Sequence, residues 1–325
     1  MSDMTVSLAL DRYDRHVPFF LGTVPPPRGL KYQALEVGMV PPRRDGIDRH
    51  KRMLRGLEFD AAEVSLCSYI IAKSRGAALA GIPVFPRRLY SQNHIFVNNR
   101  SGIETPADLR GKRVGLWAFQ VTMSVLAKGD LKSFYGVPWE EIRWITERPE
   151  EVDWDPGSLP IERAPAGRDV AQMLINGEID AYIYPHPPAE IQDRTDRVRR
   201  LFLDADSQCV RYTRQRGYYP IMHLIAIKEE RVRERPSLAR ELMDMYEEAK
   251  RQAYDFYHDP GYALVALARN EYERQKAALG SDPWPSGLKA NARNLEDFIG
   301  YMVDQRLLKA PIPVESLFHP SVIDT

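Results

Sequence analysis

Histidine side chains recur beside short apolar runs along this 325-residue chain. Four of the seven histidines lie at such places, namely His16, His94, His186 and His223. Because histidine titrates near neutral pH and can donate a proton, these residues are candidates for general acid catalysis. Each one is also compatible with a surface or packed role, so the clustering, rather than any single histidine, indicates chemistry.

Other polar side chains in the same loops suit a small planar anion. Arginine pairs with a carboxylate through two parallel hydrogen bonds, and a helix N-terminus adds backbone N–H donors. The residues concerned are Arg15, Arg87, Arg88, Ser65, Ser68 and Thr122. Two alternatives stay open, because the arginines can be solvated loop charges and the serines can cap helices. Glu63 is either a buried acid or a partner across a sheet.

The elements that must position these loops alternate between strands and helices over the first two thirds of the chain. Strands are predicted at 6–10, 64–66, 83–85, 94–97, 113–117, 143–145, 180–184, 198–202 and 223–227. Helices are predicted between them at 48–57, 68–75, 122–135, 169–176 and 188–194, and in the last third at 236–257, 262–279 and 288–308. Such alternation predicts parallel sheets, whose ligands lie beyond the carboxyl ends of the strands.

Composition excludes several classes of protein. The 45 basic and 45 acidic residues give a net charge of zero, which argues against a nucleic-acid partner. Two cysteines are too few for a disulfide framework, and no metal motif is present, although a metal held by separate histidines stays open. The first residues lack the basic head and apolar run of a signal peptide, and no apolar stretch could span a bilayer. We therefore expect a cytoplasmic protein without a membrane partner.

A short capped helix followed by a strand is predicted at 103–115, where Thr105 precedes Pro106. This phrase resembles the segment at which type II periplasmic-binding-protein folds cross between lobes, and 217–223 resembles the return crossing. The expected fold is therefore a two-lobed α/β fold with a helical C-terminal region. Lobe one is predicted at 1–100 and 217–325, lobe two at 101–216, and the ligand cleft between them.

Phrases along almost the whole chain resemble the 4,5-dihydroxyphthalate decarboxylase family. They lie at 8–15, 53–65, 85–88, 101–115, 122–137, 220–223, 284–298 and 317–320. Each phrase alone is weakly specific, but together and in this order they favour the family. The resemblance implies a carboxy-lyase that converts 4,5-dihydroxyphthalate, or a close analogue, to protocatechuate without an organic cofactor or a metal.

The implied reaction assigns roles to the candidate residues. His223 is the first choice as proton donor, with His94 and His186 as alternates. Arg15 and Arg88 are expected to bind carboxylate. The supporting contacts to the substrate are assigned to Ser65, Thr122, Tyr13, Tyr69 and His16. The expected partner is a small aromatic carboxylic acid, and a homo-oligomer is compatible with the long C-terminal helices.

Two departures from the family pattern concern the substrate. The chain has His186 in a loop where the family tends to have arginine, and His16 where the family tends to have threonine. If that arginine binds a second carboxylate, this chain prefers a monoacid or a different ring. The main alternative function is a non-catalytic solute receptor of the transporter type. Further alternatives are another enzyme on the same scaffold and an iron-binding, histidine-rich site.

Overall fold

The computed structural model describes residues 3–38, 47–192 and 196–325. The chain divides into two compact units. The first comprises Met1–Arg88, His223–Arg293 and Ile312–Thr325; the second comprises Leu89–Met222 and Asn294–Pro311. Residues 89–100, 217–222 and 294–311 thus cluster with the second unit, whereas the sequence-based division assigns them to lobe one. The predicted lobes and the ligand cleft between them stay a prediction.

The strands and helices are numbered in chain order. The strands are β1 (Met4–Leu10), β2 (Leu30–Glu36), β3 (Ala61–Ser65), β4 (Leu79–Arg88), β5 (Ile95–Asn98), β6 (Arg113–Leu116), β7 (Arg143–Thr146), β8 (Ile161–Arg163), β9 (Ala181–Ile183), β10 (Val198–Arg200) and β11 (Ile221–Lys228). The helices are α1 (Val17–Leu21), α2 (Ile47–Gly56), α3 (Leu66–Ser74), α4 (Thr122–Ser133), α5 (Val170–Asn176), α6 (Ala189–Gln192), α7 (Ala205–Arg216), α8 (Glu229–Glu234), α9 (Leu238–Phe256), α10 (Ala268–Leu279) and α11 (Ala292–Asp304).

A five-stranded sheet in the order β2-β1-β3-β11-β4 forms the centre of the first unit. Strands β1, β2 and β3 are parallel, and β11 runs antiparallel to β3. Every residue of β3 is buried, because the strand lies in the middle of the sheet. Helix α9 packs its apolar stripe, which includes Leu242, Tyr246 and Ala249, toward the interior. An acid in β3, Glu63, therefore lies inside an apolar layer and needs partners there.

A six-stranded sheet in the order β10-β5-β9-β6-β7-β8 forms the second unit. Strands β9, β6, β7 and β8 are parallel, whereas β5 is antiparallel to both of its neighbours. Gly115 in β6 is required by packing, since a Cβ there would lie 2.4 Å from Val170 and 2.8 Å from Ile179. The backbone of β6 can approach helix α5 this closely only because residue 115 has no side chain.

All nine predicted strands are present, but two further strands were not predicted from the sequence. Strand β2 lies at a sheet edge with few buried residues, and β8 has only three residues, none of them buried. Helix α7 was also missed, because only Ala205, Cys209 and Tyr212 of its twelve residues are buried. Of the predicted helix at 188–194, positions 193 and 194 lie outside the described residues. Within the described ranges no helix is both long and apolar enough to cross a membrane.

Candidate active site

The first unit joins a histidine and a buried carboxylate at one place on its sheet. His223 in β11 pairs with Ser65 of β3 in an antiparallel register, and Glu63 lies two residues before Ser65 on the same face. This diagonal relationship brings Nδ1 of His223 to 2.5 Å from Oε1 of Glu63. The Glu63 side chain is fully buried, whereas 12% of the His223 side chain is exposed. The histidine therefore links a buried acid to the accessible side of the site.

A buried arginine holds the other side of the carboxylate. Arg49 of α2 lies 3.3 Å from Oε2 of Glu63 and donates a hydrogen bond of 2.9 Å to the Glu63 backbone carbonyl. It also pairs with Asp11 at 3.0 Å, directly after β1. Burial alone raises the pKa of Glu63, but the Arg49 charge and the hydrogen bond from His223 outweigh it and hold that pKa well below its usual value. Glu63 is therefore ionised, so it accepts rather than donates.

The hydroxyl of Tyr13 lies within hydrogen-bond distance of both acids, Asp11 and Glu63. Its hydroxyl lies 2.9 Å from Oδ2 of Asp11 and 3.1 Å from Oε1 of Glu63, and its proton can be given to either. Burial, followed by the charge of Glu63, raises the pKa of Tyr13. The hydroxyl stays protonated and acts as a donor. Tyr13 therefore stabilises the carboxylates and does not serve as a base.

A second histidine stands edge-on to the first. The ring centroids of His50 and His223 are 4.8 Å apart, with an interplanar angle of 90°. Burial, with the charges of His223 and Arg49, holds the pKa of His50 well below its usual value. Burial also lowers the pKa of His223, against the raising effect of Glu63. Both imidazoles are therefore neutral at rest, and Nδ1 of His223 carries the proton that Glu63 accepts.

An arginine lies between two aromatic rings beside this cluster. The guanidinium carbon of Arg15 is 4.2 Å from the Tyr13 ring centroid and 4.3 Å from that of Trp284. Its Nε donates to the Pro86 carbonyl at 2.6 Å, and its NH1 pairs with Asp14 at 3.0 Å. These contacts fix the orientation of the guanidinium, which is one fifth exposed. A fixed cation of this kind suits recognition of a planar carboxylate.

The structure brings five of the predicted site residues together in the first unit: Tyr13, Arg15, His16, Ser65 and His223. His16 is fully buried, with Nδ1 at 2.9 Å from the Asp11 carbonyl, and burial lowers the pKa of His16 to about 4. Ser65 is buried directly opposite His223 and precedes α3. His16 therefore supports the Asp11 loop from a buried position.

Two other predicted residues of the first unit make structural contacts. Arg88 is buried and donates to the Pro285 carbonyl at 2.9 Å and to Oδ1 of Asn291 at 2.6 Å. The hydroxyl of Tyr69, also buried, donates to the Leu317 carbonyl. Both side chains anchor the C-terminal segment. Their predicted substrate contacts stay predictions, as do the roles of the other site residues.

Three predicted residues belong to the second unit. Thr122 is the buried first residue of α4, which follows β6. His94 precedes β5, and its backbone carbonyl accepts a hydrogen bond of 3.1 Å from the Tyr184 N–H. The His186 ring lies edge-on to Tyr184 at 6.2 Å. These residues stay candidates on their own unit.

Four members of the cluster were not predicted as site residues: Asp11, Arg49, His50 and Glu63. The sequence contains an indication of two of these residues. Arg49 and His50 precede Met53 and Leu54 by four residues, and this spacing places them on the apolar face of a helix. A charged residue at such a position requires a buried partner. In the part of the chain that the structure describes, no group of three or more His, Cys, Asp or Glu side chains could hold a metal ion.

No protein-family model matches the chain. Two curated relatives do. A 4,5-dihydroxyphthalate decarboxylase of Comamonas testosteroni is 28% identical over 335 residues, covering 100% of this chain and 99% of that protein. A 4,5-dihydroxyphthalate decarboxylase of Pseudomonas putida is 28% identical over 226 residues, covering 67% of this chain and 84% of that protein.

Solved structures share the fold at low sequence identity. The periplasmic aliphatic sulphonate binding protein SsuA from Escherichia coli has a TM-score of 0.58 and 13% identity, with 100% of both chains covered. DSZB, solved with biphenyl-2-sulfinic acid, has a TM-score of 0.53 and 16% identity, covering 100% of this chain and 98% of that one. The predicted α/β fold of the periplasmic-binding-protein type is therefore confirmed, and the chain is similar over its whole length to a 4,5-dihydroxyphthalate decarboxylase, as its sequence phrases indicated.

Proposed function

We propose that this chain is a carboxy-lyase that removes carbon dioxide from a hydroxylated aromatic acid, with 4,5-dihydroxyphthalate as substrate and protocatechuate as product. The observation that carries the proposal is the hydrogen-bonded pair of Glu63 and His223 at 2.5 Å. The names of the two curated relatives support the reaction class. The fold alone does not, because binding proteins and enzymes share it.

The reaction requires one proton and a route for one electron pair. A ring hydroxyl para to the departing carboxylate supplies electrons while the carbon that carries this carboxylate takes a proton. The carbon–carbon bond then breaks, carbon dioxide leaves, and the bonding pair restores the aromatic ring. Each turnover consumes one proton and releases one carbon dioxide, so the protein must deliver a proton to carbon.

His223 meets this requirement at Nε2. The Nδ1–H of His223 donates a hydrogen bond to Glu63. The neutral ring therefore has an unprotonated Nε2, which can take a proton. The carboxylate of Glu63 stabilises the resulting imidazolium, whereas burial of His223 disfavours the charge and lowers its pKa. The imidazolium therefore forms transiently and gives its proton readily. A nearby arginine, Arg15, would hold a substrate carboxylate, and Tyr13 would keep Glu63 in place.

The other predicted roles belong to the same proposal. His94 and His186 are the alternate proton donors. The further substrate contacts are assigned to Ser65, Thr122, Tyr69 and His16. The contact predicted for Arg88 from the sequence is not part of this proposal, because its guanidinium donates to the Pro285 carbonyl and to Asn291. We propose that the enzyme works in the cytoplasm on a small aromatic acid, without a nucleic-acid or membrane partner and without a cofactor.

We also propose that the enzyme is a homo-oligomer whose contact includes the segment before α10. Five large apolar side chains there are at least 41% exposed, namely Phe256, Tyr262, Leu264, Val265 and Leu267. No residue of α10 is buried, so the helix adds a surface beside this segment that a second copy could cover. Light scattering should show an oligomer that dissociates in Leu264→Ser/Leu267→Ser, whereas a monomeric wild type would contradict this.

The test of function is product analysis with purified protein. The substrates are 4,5-dihydroxyphthalate and a panel of hydroxybenzoates, each with and without chelator. Release of carbon dioxide together with protocatechuate supports the proposal. Binding across the panel without any turnover would identify a solute receptor instead, and a chelator-sensitive activity would identify a metal-dependent enzyme.

A further inference from the structure

The last two residues of β4 are both arginines, and a strand directs successive side chains to opposite faces. Arg88 faces the C-terminal segment, where it donates to the Pro285 carbonyl and to Asn291. Arg87 faces the other way. It is the one residue of β4 that is not fully buried. Only one arginine of the pair can therefore serve the candidate active site.

Arg87 is connected to His223 through two side chains. Its NH1 donates to the Tyr13 hydroxyl at 3.4 Å. That hydroxyl lies 3.1 Å from Oε1 of Glu63, the oxygen that also accepts from Nδ1 of His223. At 3.4 Å the contact from Arg87 is at the long end of hydrogen bonding and therefore weak. A carboxylate that approached the guanidinium would form a shorter, charge-assisted bond.

The charge of Arg87 affects the pKa values of both histidines in the site. Burial lowers the pKa of His223 most, and the charge of Arg87 lowers it further. The same charge contributes to the low pKa of His50. The side chains of Asp11 and Glu63, both buried, share the guanidinium of Arg49. Arg87 is thus a partly buried cation that is linked through Tyr13 to the pair of Glu63 and His223.

We propose that Arg87, and not Arg88, binds the carboxylate that the substrate keeps. This inference rests on the proposed decarboxylation and assigns one residue to the carboxylate that 4,5-dihydroxyphthalate keeps. It also supplies a cation for the second carboxylate in a chain that has His186 in the loop where its family resemblance leads one to expect arginine.

The chemistry favours the retained carboxylate over the departing one. Carbon dioxide leaves as a neutral molecule, so a cation on the departing group would stabilise the ground state more than the transition state. The retained carboxylate keeps its charge throughout, so a cation there holds substrate, transition state and product equally. Removing Arg87 should therefore raise KM strongly and change kcat little.

Calorimetry with two ligands tests the assignment without turnover. Protocatechuate keeps the carboxylate, whereas catechol lacks it. In Arg87→Gln we expect the affinity for protocatechuate to fall about 10- to 100-fold and the affinity for catechol to stay unchanged. Arg87→Lys should restore part of the affinity, because it keeps the charge but not the planar fork. Arg233→Gln, an exposed arginine of the same unit, is the matched control and should bind both ligands as the wild type does.

A kinetic readout separates substrate binding from a merely structural effect. Loss of the Arg87 charge should shift the pH profile of kcat/KM to higher pH, because that charge lowers the pKa of His223. Equal affinity of Arg87→Gln and wild type for protocatechuate would overturn the inference. If wild type binds protocatechuate but does not release carbon dioxide from 4,5-dihydroxyphthalate, the proposed function fails while the binding comparison still decides the role of Arg87. No binding of protocatechuate by wild type would overturn the inference about Arg87, whereas turnover of 4,5-dihydroxyphthalate alone decides the proposed function.

Discussion

Nδ1 of His223 and Oε1 of Glu63 lie 2.5 Å apart across the antiparallel strands β11 and β3. The His223 side chain is 12% exposed, whereas the charged side chain of Glu63 is fully buried. Arg49 keeps Glu63 ionised. Glu63 therefore accepts the hydrogen bond, and Nδ1 of His223 donates it. An ionised acid behind a neutral histidine is the arrangement that allows the imidazole to gain and lose a proton at its other nitrogen.

Glu63→Gln should lower kcat about 10- to 100-fold. The amide oxygen can still accept from Nδ1, but the negative charge that stabilises the imidazolium is gone. The measurement is kcat for decarboxylation across pH, with folding checked by circular dichroism. Glu58→Gln removes an exposed acid of the same unit and serves as control. A folded Glu63→Gln enzyme with wild-type kcat would contradict the role of the pair.

Arg49→Met should lower the free energy of unfolding by about 3–5 kcal/mol. The substitution leaves Asp11 and Glu63 buried without the guanidinium that neutralises them. Urea unfolding measures the loss. Arg52→Met, on the same helix but 42% exposed, should change the free energy of unfolding little. Equal stability of the two variants would show that the buried network does not hold the first unit together.

The position of strands and loops was predictable, because apolar runs and turn residues are local signals. The identity of the acid that faces His223 was not. Its partner depends on the register between β3 and β11, which are separated by more than 150 residues in sequence, and no local pattern specifies that register. The same limit applies to the two arginines at the end of β4: Arg87 and Arg88 are equivalent in sequence, and only the alternation of side chains along the strand separates them.

Stability should fall as pH rises from about 4 to about 7 because of Asp130 in the second unit. Ser91, Tyr212 and Tyr301 donate to its carboxyl at 2.6, 3.0 and 3.2 Å, and the charge of Arg216 also acts on it. Burial nevertheless raises the pKa of Asp130 from 3.8 to about 7. Between these two pH values Asp130 is ionised in the unfolded chain and protonated in the folded chain. The free energy of unfolding therefore falls as pH rises.

Asp130→Asn should remove this part of the pH dependence. Urea unfolding at pH 5 and pH 8 measures it in the variant and in Asp196→Asn, which removes a carboxylate that is 72% exposed. His16 contributes a slope of the opposite sign between pH 4 and 6.5, because burial lowers the pKa of His16 from 6.5 to about 4. It is present in both variants and cancels in the comparison. An identical pH slope in both variants would contradict the assignment.

Gly129→Ala should lower the free energy of unfolding by about 1–3 kcal/mol. A Cβ at this position of α4 would lie 2.2 Å from the ring of Tyr301. Gly300→Ala is the matched control on α11, where nothing lies within 4 Å of the added carbon, and should raise stability by about 1 kcal/mol. Thermal unfolding of the two variants should therefore shift in opposite directions. A shift of both variants in the same direction would show that Tyr301 yields to the added methyl group.

The most direct test of the account compares wild type and His223→Asn in the conversion of 4,5-dihydroxyphthalate. Carbon dioxide and protocatechuate are quantified together, with the fold of each protein checked by circular dichroism. We predict stoichiometric release by wild type and a loss of at least about 100-fold in kcat for the folded variant. Undiminished carbon dioxide release by folded His223→Asn would contradict the assignment of the proton donor and leave His94 and His186 as candidates.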